Sequence, residues 1–404
     1  MKVTAPIKIR SNAPGRIDLG VVTTPDIEAL IAANSPIAIG VSGGKDSCAL
    51  AFATIAHLDS VGHNGPRVLV HSDLGRVEWQ DSLPTCKRLA SALGVELVVV
   101  RREAGDMMDR WLQRWRDNCA RYANLECVKL ILPWSTPDMR FCTSELKTAI
   151  ICRDLVRRFP GQRIVSCAGI RREESPKRKK SPIAKEQNKL TSSPRKREKA
   201  TSGIDWNPII EWTERDVFAY LSAKNFALHE AYTKFNMSRV SCAFCIMSNA
   251  ADLVASASCP DNVPVYCEMV DLEIVSTFAF QGATWLGDVA PQHLSAAQIE
   301  GLAKAKGRAE KRELAESRIP DHLLFEEGWP NVMPTDEEAE VISAMRREVA
   351  ELIGLTVRYT DRASVLARYA DLMAEKEAKV KKKADAEARK AARTARNEAT
   401  REAG

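Results

Sequence analysis

Ile37-Ala38-Ile39-Gly40-Val41-Ser42-Gly43-Gly44-Lys45-Asp46-Ser47-Cys48 is an apolar run that breaks into a short polar loop. Ile37, Ile39 and Val41 suit a buried strand. Gly43 and Gly44 permit a tight turn and a close approach of backbone to a ligand. Asp46 to His57 is rich in Ala and Leu and reads as a helix. A strand, a glycine turn and a helix start aim backbone N–H groups and a helix dipole at an anion. Ser42 and Ser47 add hydroxyls, and Lys45 adds a point charge. The pattern is that of a phosphate site, but not a Walker loop, which has four residues between its glycines and a Lys-Ser/Thr pair after the second.

Outward from this loop the chain alternates. Arg67 to His71 reads as a strand ending in Ser72-Asp73, Glu78 to Leu93 as a helix, and Val95 to Val100 as a strand. Residues 105–126 and 142–158 read as helices, with Trp111 and Trp115 a packing stripe, and 163–168 as a fourth strand. Such alternation implies a parallel sheet with right-handed crossovers. Ligands of such sheets sit beyond the carboxyl ends of the strands, where the glycine loop and Asp73 both fall. Residues 1–34 read as a loosely ordered lead-in with a short helix at 26–33. Thr213 is placed to cap a helix through Ala223, and further helices are expected at 295–305, 335–353 and 360–403. The expected organisation is a core domain over 35–250, a helical accessory region over 251–355 and a charged helical tail over 356–404.

The 404 residues suffice for two or three domains. With 45% hydrophobic residues, no apolar run approaches the roughly 18–20 residues of a membrane span. No secretory leader is visible at the start, so the expected location is the cytoplasm. Among eleven cysteines, only Cys242 and Cys245 form a Cys-x-x-Cys, which favours metal or redox chemistry over structural disulfides. Cys48, Cys86, Cys152 and Cys167 fall on expected core elements and read as packing residues. His71, at a strand end, reads as structural. Arg171 to Lys199 holds twelve basic and four acidic residues, more excess charge than the +6 of the whole chain. Two readings fit this expected mobile insert, about 171–203: a clamp on a polyanion, or a solvated linker.

Ser42-Gly-Gly-Lys-Asp-Ser47 resembles the PP-loop of the ATP pyrophosphatase superfamily. Three further stretches resemble the branch that holds the adenylyl-sulfate and phosphoadenylyl-sulfate reductases and the DNA phosphorothioation (Dnd C) sulfurtransferase. They are Arg140-Phe-Cys142-Thr-Ser-Glu-Leu-Lys147, Gly169-Ile-Arg171-Arg172-Glu-Glu-Ser175, and Pro208-Ile-Ile-Glu-Trp212-Thr…Asp216-Val-Phe-Ala-Tyr220 followed by Ser241-Cys242-Ala-Phe-Cys245. The resemblance implies an adenine nucleotide alpha hydrolase-like (HUP, Rossmann-like) α/β fold. It also implies that Ser42, Gly43, Gly44, Lys45 and Ser47 hold phosphates and that Asp46 braces the loop or helps bind Mg²⁺. Asp73 would contact nucleotide or metal. Arg171 and Arg172 would grip phosphate or sulfate, with a plain surface charge as the other reading of Arg172.

By the same resemblance, Cys142, Cys242 and Cys245 stand where ligands of a [4Fe–4S] cluster are expected. The reductases have a Cys-Cys pair where this chain has Phe141-Cys142. Cys259, Cys267 or a non-protein group is left to complete the site, and zinc or free thiols are competing readings. No cysteine follows Cys267, so the nucleophilic Glu-Cys-Gly-x-His tail of thioredoxin-dependent reductases has no counterpart. The loop keeps its ATP-using pattern. Both points favour ATP cleavage to AMP and pyrophosphate, by adenylation of a substrate, coupled to sulfur transfer. A cysteine-desulfurase-type donor and a nucleic-acid acceptor held by the basic insert and tail fit that reading. The alternatives are a sulfonucleotide reductase releasing sulfite, and a non-catalytic nucleic-acid-binding module.

Overall fold

The computed structural model describes residues 19–192 and 200–402, without the side chains of 390, 391 and 393–402. It divides into two compact units: residues 1–108 with 135–266, and residues 109–134 with 267–404.

The first unit is built on a six-stranded sheet in the order β3-β2-β1-β4-β6-β5. The strands are β1 Ile37–Gly40, β2 Arg67–Asp73, β3 Glu96–Arg101, β4 Arg163–Cys167, β5 Ala184–Glu186 and β6 Ser202–Trp206. Neighbours are parallel except β5, which runs antiparallel to β6. Helices α1 Pro25–Ala32, α2 Lys45–Ser60, α3 Ser82–Leu93, α5 Phe141–Thr143, α6 Ala149–Arg158, α7 Pro176–Lys179, α8 Glu214–Ala223, α9 Glu230–Thr233 and α10 Ala250–Ala257 accompany it; α4 Met107–Ala123 begins at the unit's edge. This is the Rossmann-like HUP architecture. The strand order reverses between β1 and β4, so the loops that follow these two strands diverge and open a crevice there. Ile37, Ile39, Leu50, Leu69, Val165 and Trp206 are among the residues that make the core. Sheet faces covered by helices explain why β1 reads as an unbroken apolar run.

Several local expectations change. Helix α3 starts at Ser82, not Glu78, because residues 75–77 form a 3₁₀ turn. Residues 1–18 of the expected lead-in lie outside the described residues; residues 19–34 are held against the sheet domain, with Trp206 Nε1 donating to Val22 O (2.8 Å) and Trp212 Nε1 to Gly20 O (3.0 Å). Much of the basic insert is also structured. It forms α7, pairs β5 to β6 and buries Leu190, so charge count alone misjudged it; residues 193–199 lie outside the described residues. Thr213 does cap α8, exchanging hydrogen bonds with Asp216 in a capping box.

The second unit is helical, with α4 from Asp109 onward, α11 Val263–Ser276 from Cys267 onward, α12 Ala296–Glu316, α13 Asp336–Ile353 and α14 Arg362–Glu402. Trp111 and Trp115 are indeed packing residues. Trp111 meets Trp134 edge-on at 5.3 Å, and Trp134 meets Phe280 at 5.2 Å. Helix α13 is bounded by a Thr335–Glu338 capping box and by left-handed Gly354. No helix among the described residues is long and apolar enough to cross a membrane.

Candidate active site

The loop after β1 closes on itself. Ser42 N–H donates to Ser47 Oγ (3.1 Å), and Ser47 Oγ donates to Gly44 O (2.9 Å). Gly43 has φ +76°, and a Cβ there would lie 3.0 Å from Ser82 O, so the turn needs glycine. Gly44, the N-cap of α2, makes no side-chain cap hydrogen bond; the first helical N–H, that of Lys45, donates to the Tyr232 hydroxyl at 3.2 Å, and the loop glycines add no side chains of their own.

Lys45 is 3% exposed and is not an open phosphate hand. Its Nζ lies 3.3 Å from Asp46 Oδ2 and 3.1 Å from Glu214 Oε1, donates to Ser238 O (3.4 Å), and stands between the rings of Phe218 and Tyr232. Burial pulls its pKa down, but Tyr232, Asp46 and Glu214 outweigh that and hold it above the usual lysine value. Asp46 is the brace between two cations: its Oδ1 accepts from Arg171 Nε at 2.6 Å. Arg171, also buried, pairs with Glu173 at 2.8 Å. Gly169 brings the β4 loop against this brace, since a Cβ there would meet Asp46 O at 3.0 Å.

The remaining nucleotide candidates are placed differently. Asp73 Oδ1 accepts from Gly75 N–H (2.7 Å), while its Oδ2 is 3.5 Å from Arg101 Nε. Arg172 pairs with Glu211 and donates to Ser181 O. His71 is structural, as expected: its Nδ1 is 3.1 Å from Val41 O and its Nε2 3.1 Å from Glu78 Oε2.

Sequence reasoning missed a group of arginines. Arg178 pairs with Glu174, and its pKa is lowered, first by burial and then by Arg239 and Arg140, with Arg171 adding to the crowding and Asp46 opposing it. Like charges gathered this way favour a bound oxyanion. The signal was present: Arg140 and Arg239 stand two and three residues before Cys142 and Cys242, and Arg178 three after Ser175.

The same segments bring three cysteines into one electrostatic neighbourhood. Burial pushes Cys242 up to about 12; Lys147 opposes this, while Cys245, Glu78 and Cys142 add to it. Ala243 N–H donates to Val77 O (2.7 Å), pinning the Cys-x-x-Cys turn to the 3₁₀ turn that follows β2. Cys259 lies with two carboxylates: its sulfur, Glu230 and Asp261 form a set whose ligand atoms all lie within 4.8 Å of one another. Among the described residues Cys142, Cys242 and Cys245 form no set that tight. Cys267 is in the second unit, its Sγ 3.5 Å from His293 O. Cys48, Cys86, Cys152 and Cys167 are buried.

Residues 36–247, just over half of the chain, match the phosphoadenosine phosphosulfate reductase domain, and the chain belongs to that family. No curated protein matches it. Similar solved structures include a phosphoadenylyl-sulfate (PAPS) reductase from Candida auris in a phosphate complex, with 11% identity and TM-score 0.34, covering 55% of this chain and 97% of that one. The U34-tRNA thiolase NcsA from Methanococcus maripaludis with its [4Fe-4S] cluster has 11% identity and TM-score 0.28, over 71% and 75% of the two chains. An NH3-dependent NAD synthetase from Campylobacter jejuni has 14% identity and TM-score 0.28, over 74% and 93%.

Proposed function

We propose that the chain binds ATP at Ser42–Ser47, cleaves it to AMP and pyrophosphate by adenylating a substrate, and couples this to sulfur transfer. The observation that carries this reading is the intact loop: left-handed Gly43, the Ser42 and Ser47 hydroxyls 3.4 Å apart and a helix start with no side-chain cap from Gly44, braced by Asp46 between Lys45 and Arg171. Ser42, Gly43, Gly44 and Ser47 hold phosphate; Lys45 and Arg171 fix the loop through Asp46. Both Asp46 oxygens are engaged, so Asp73, with one loosely paired oxygen, is the better Mg²⁺ ligand. Arg140, Arg178 and Arg239 stabilise charge on the transferred group.

The three-thiol neighbourhood fits a cluster held by Cys142, Cys242 and Cys245. A single zinc ion at about 2.3 Å from each sulfur needs thiols closer together. When bound, a [4Fe–4S] cluster supplies electrons or an open iron for sulfur. The exposed lysines 177, 179, 180, 185 and 189 make a nucleic-acid acceptor the partner to test first.

The arginine group also favours a second reading, reduction of a sulfonucleotide whose sulfo group sits among these guanidiniums. Assays of pyrophosphate from ATP and of sulfite from phosphoadenylyl sulfate separate the two. Sulfite without pyrophosphate sinks the ATP reading, and neither product with salt-sensitive nucleic-acid binding leaves the non-catalytic module.

A further inference from the structure

We propose that Tyr232 is a positioning residue that couples the nucleotide loop to the cysteine segment, an inference that rests on nucleotide binding at that loop. Its hydroxyl oxygen accepts the N–H of Lys45, the first residue of α2, at 3.2 Å. It also accepts the N–H of Val240, two residues before Cys242, at 3.1 Å. One oxygen thus joins backbone atoms 195 residues apart in sequence, one in each half of the site. The neighbouring contacts run in parallel. Lys45 Nζ reaches Ser238 O, and Val240 O lies 3.4 Å from where a Cβ of Gly44 would stand. On its far side the segment is fixed by buried Asp252, which accepts from Ser238 N–H (2.8 Å) and Ser238 Oγ (2.7 Å). Residues 238–240 are therefore held between α10 and the loop. An anion that orders the loop orders the approach to Cys242 through Tyr232, and by linkage the reverse holds.

Tyr232→Phe removes the oxygen and keeps the ring, which packs edge-on against Phe218 at 6.1 Å. The test is amide hydrogen exchange over 238–245 in the full chain, with and without saturating Mg²⁺-ATP, alongside calorimetric ATP binding; phosphoadenylyl sulfate replaces ATP if the product assays select it. In the wild type, nucleotide slows exchange over 238–245 at least about fivefold. In Tyr232→Phe, nucleotide still binds but this protection is lost. Phe218→Leu, which disturbs the packing and spares the hydroxyl, lowers stability but keeps the protection. If Tyr232→Phe does not fold, Val240→Pro deletes one of the two donors instead and is expected to lose protection likewise. Equal protection in the variant, or a wild type that binds nucleotide with no change over 238–245, overturns the coupling alone. A wild type that binds neither nucleotide overturns the functional reading as well.

Discussion

Arg171 Nε lies 2.6 Å from Asp46 Oδ1, joining the loop after β4 to the first turn of α2 across the point where strand order reverses. Because Lys45 grips the other Asp46 oxygen, the carboxylate neutralises two buried cations at once. Asp46→Asn leaves Lys45 to Glu214 and Arg171 to Glu173 and Glu174, so the loss is that of charge-assisted hydrogen bonds, about 1–3 kcal/mol of stability. Arg171→Lys keeps the charge but not the fork that reaches Asp46 and Glu173 together. Thermal melts are expected to rank wild type, Arg171→Lys, then Asp46→Asn; an unchanged Asp46→Asn melt contradicts the brace.

Gly43→Ala tests the loop more locally. The left-handed backbone costs an alanine about 1 kcal/mol, and its Cβ would press on Ser82 O and, at 3.2 Å, on His229 Cδ2. Product formation is expected to fall about tenfold or more, with a loss of stability of about 1–2 kcal/mol. Steady-state kinetics beside a melting curve reads both.

The cysteines carry a metal prediction. Anaerobically purified wild type is expected to contain iron and to show broad visible absorbance. Serine at Cys142, Cys242 or Cys245 each removes most of the iron, and serine at Cys119, in the second unit, does not. Iron and zinc quantification decides this. Stoichiometric zinc would move the site to the structural class, and no metal in any sample would leave free thiols.

The parts of this fold that were legible in sequence are those where local chemistry dictates local shape. The strand–glycine–helix unit at 37–60 follows from β-branched residues, a glycine turn and a helix-forming run. The cap at Thr213 follows from a hydroxyl three residues before a carboxylate. Strand β6 was not legible, because Ser202-Gly203-Ile204-Asp205 carries little apolar pattern and gains its place by pairing with β4. Strand β5 is a short edge strand inside a charged stretch, where composition argues for a loop and only the neighbouring strand argues otherwise. The loop glycines and serines were read directly. Tyr232 and Glu214 were not, since each meets Lys45 only after the chain has crossed the sheet. The same distance hid Lys45's commitment to Glu214.

Arg346 makes a prediction about the second unit. It is fully buried with its guanidinium aimed at four carbonyls: Tyr122 O (2.8 Å), Ala123 O (3.1 Å), Arg358 O (2.7 Å) and Tyr359 O (3.2 Å). Two of these end α4, where the helix dipole favours a cation. Arg346→Met keeps the bulk and leaves the carbonyls without donors, so a loss of about 2–4 kcal/mol is expected from denaturant unfolding. Arg347→Met, a half-exposed neighbour, serves as the control and should cost under about 1 kcal/mol.

Glu273 sets the pH dependence of the same unit. It is fully buried and accepts backbone N–H groups from Phe280 (2.8 Å), Leu286 (2.7 Å) and Gly287 (3.0 Å). Burial outweighs these donors and lifts the carboxyl to about 7, against 4.5 in an open chain. Between those two values the folded state holds a proton that the unfolded state has released. Stability from this group is therefore greatest below about 4.5 and falls as pH rises towards 7, by roughly 1–3 kcal/mol. Glu273→Gln cannot ionise, so its unfolding free energy should lack that slope although its mean is lower, one of its amide hydrogens now facing N–H donors. Denaturant titrations of both proteins at intervals from pH 5 to 7.5 give the comparison, and parallel profiles would assign the slope to other groups.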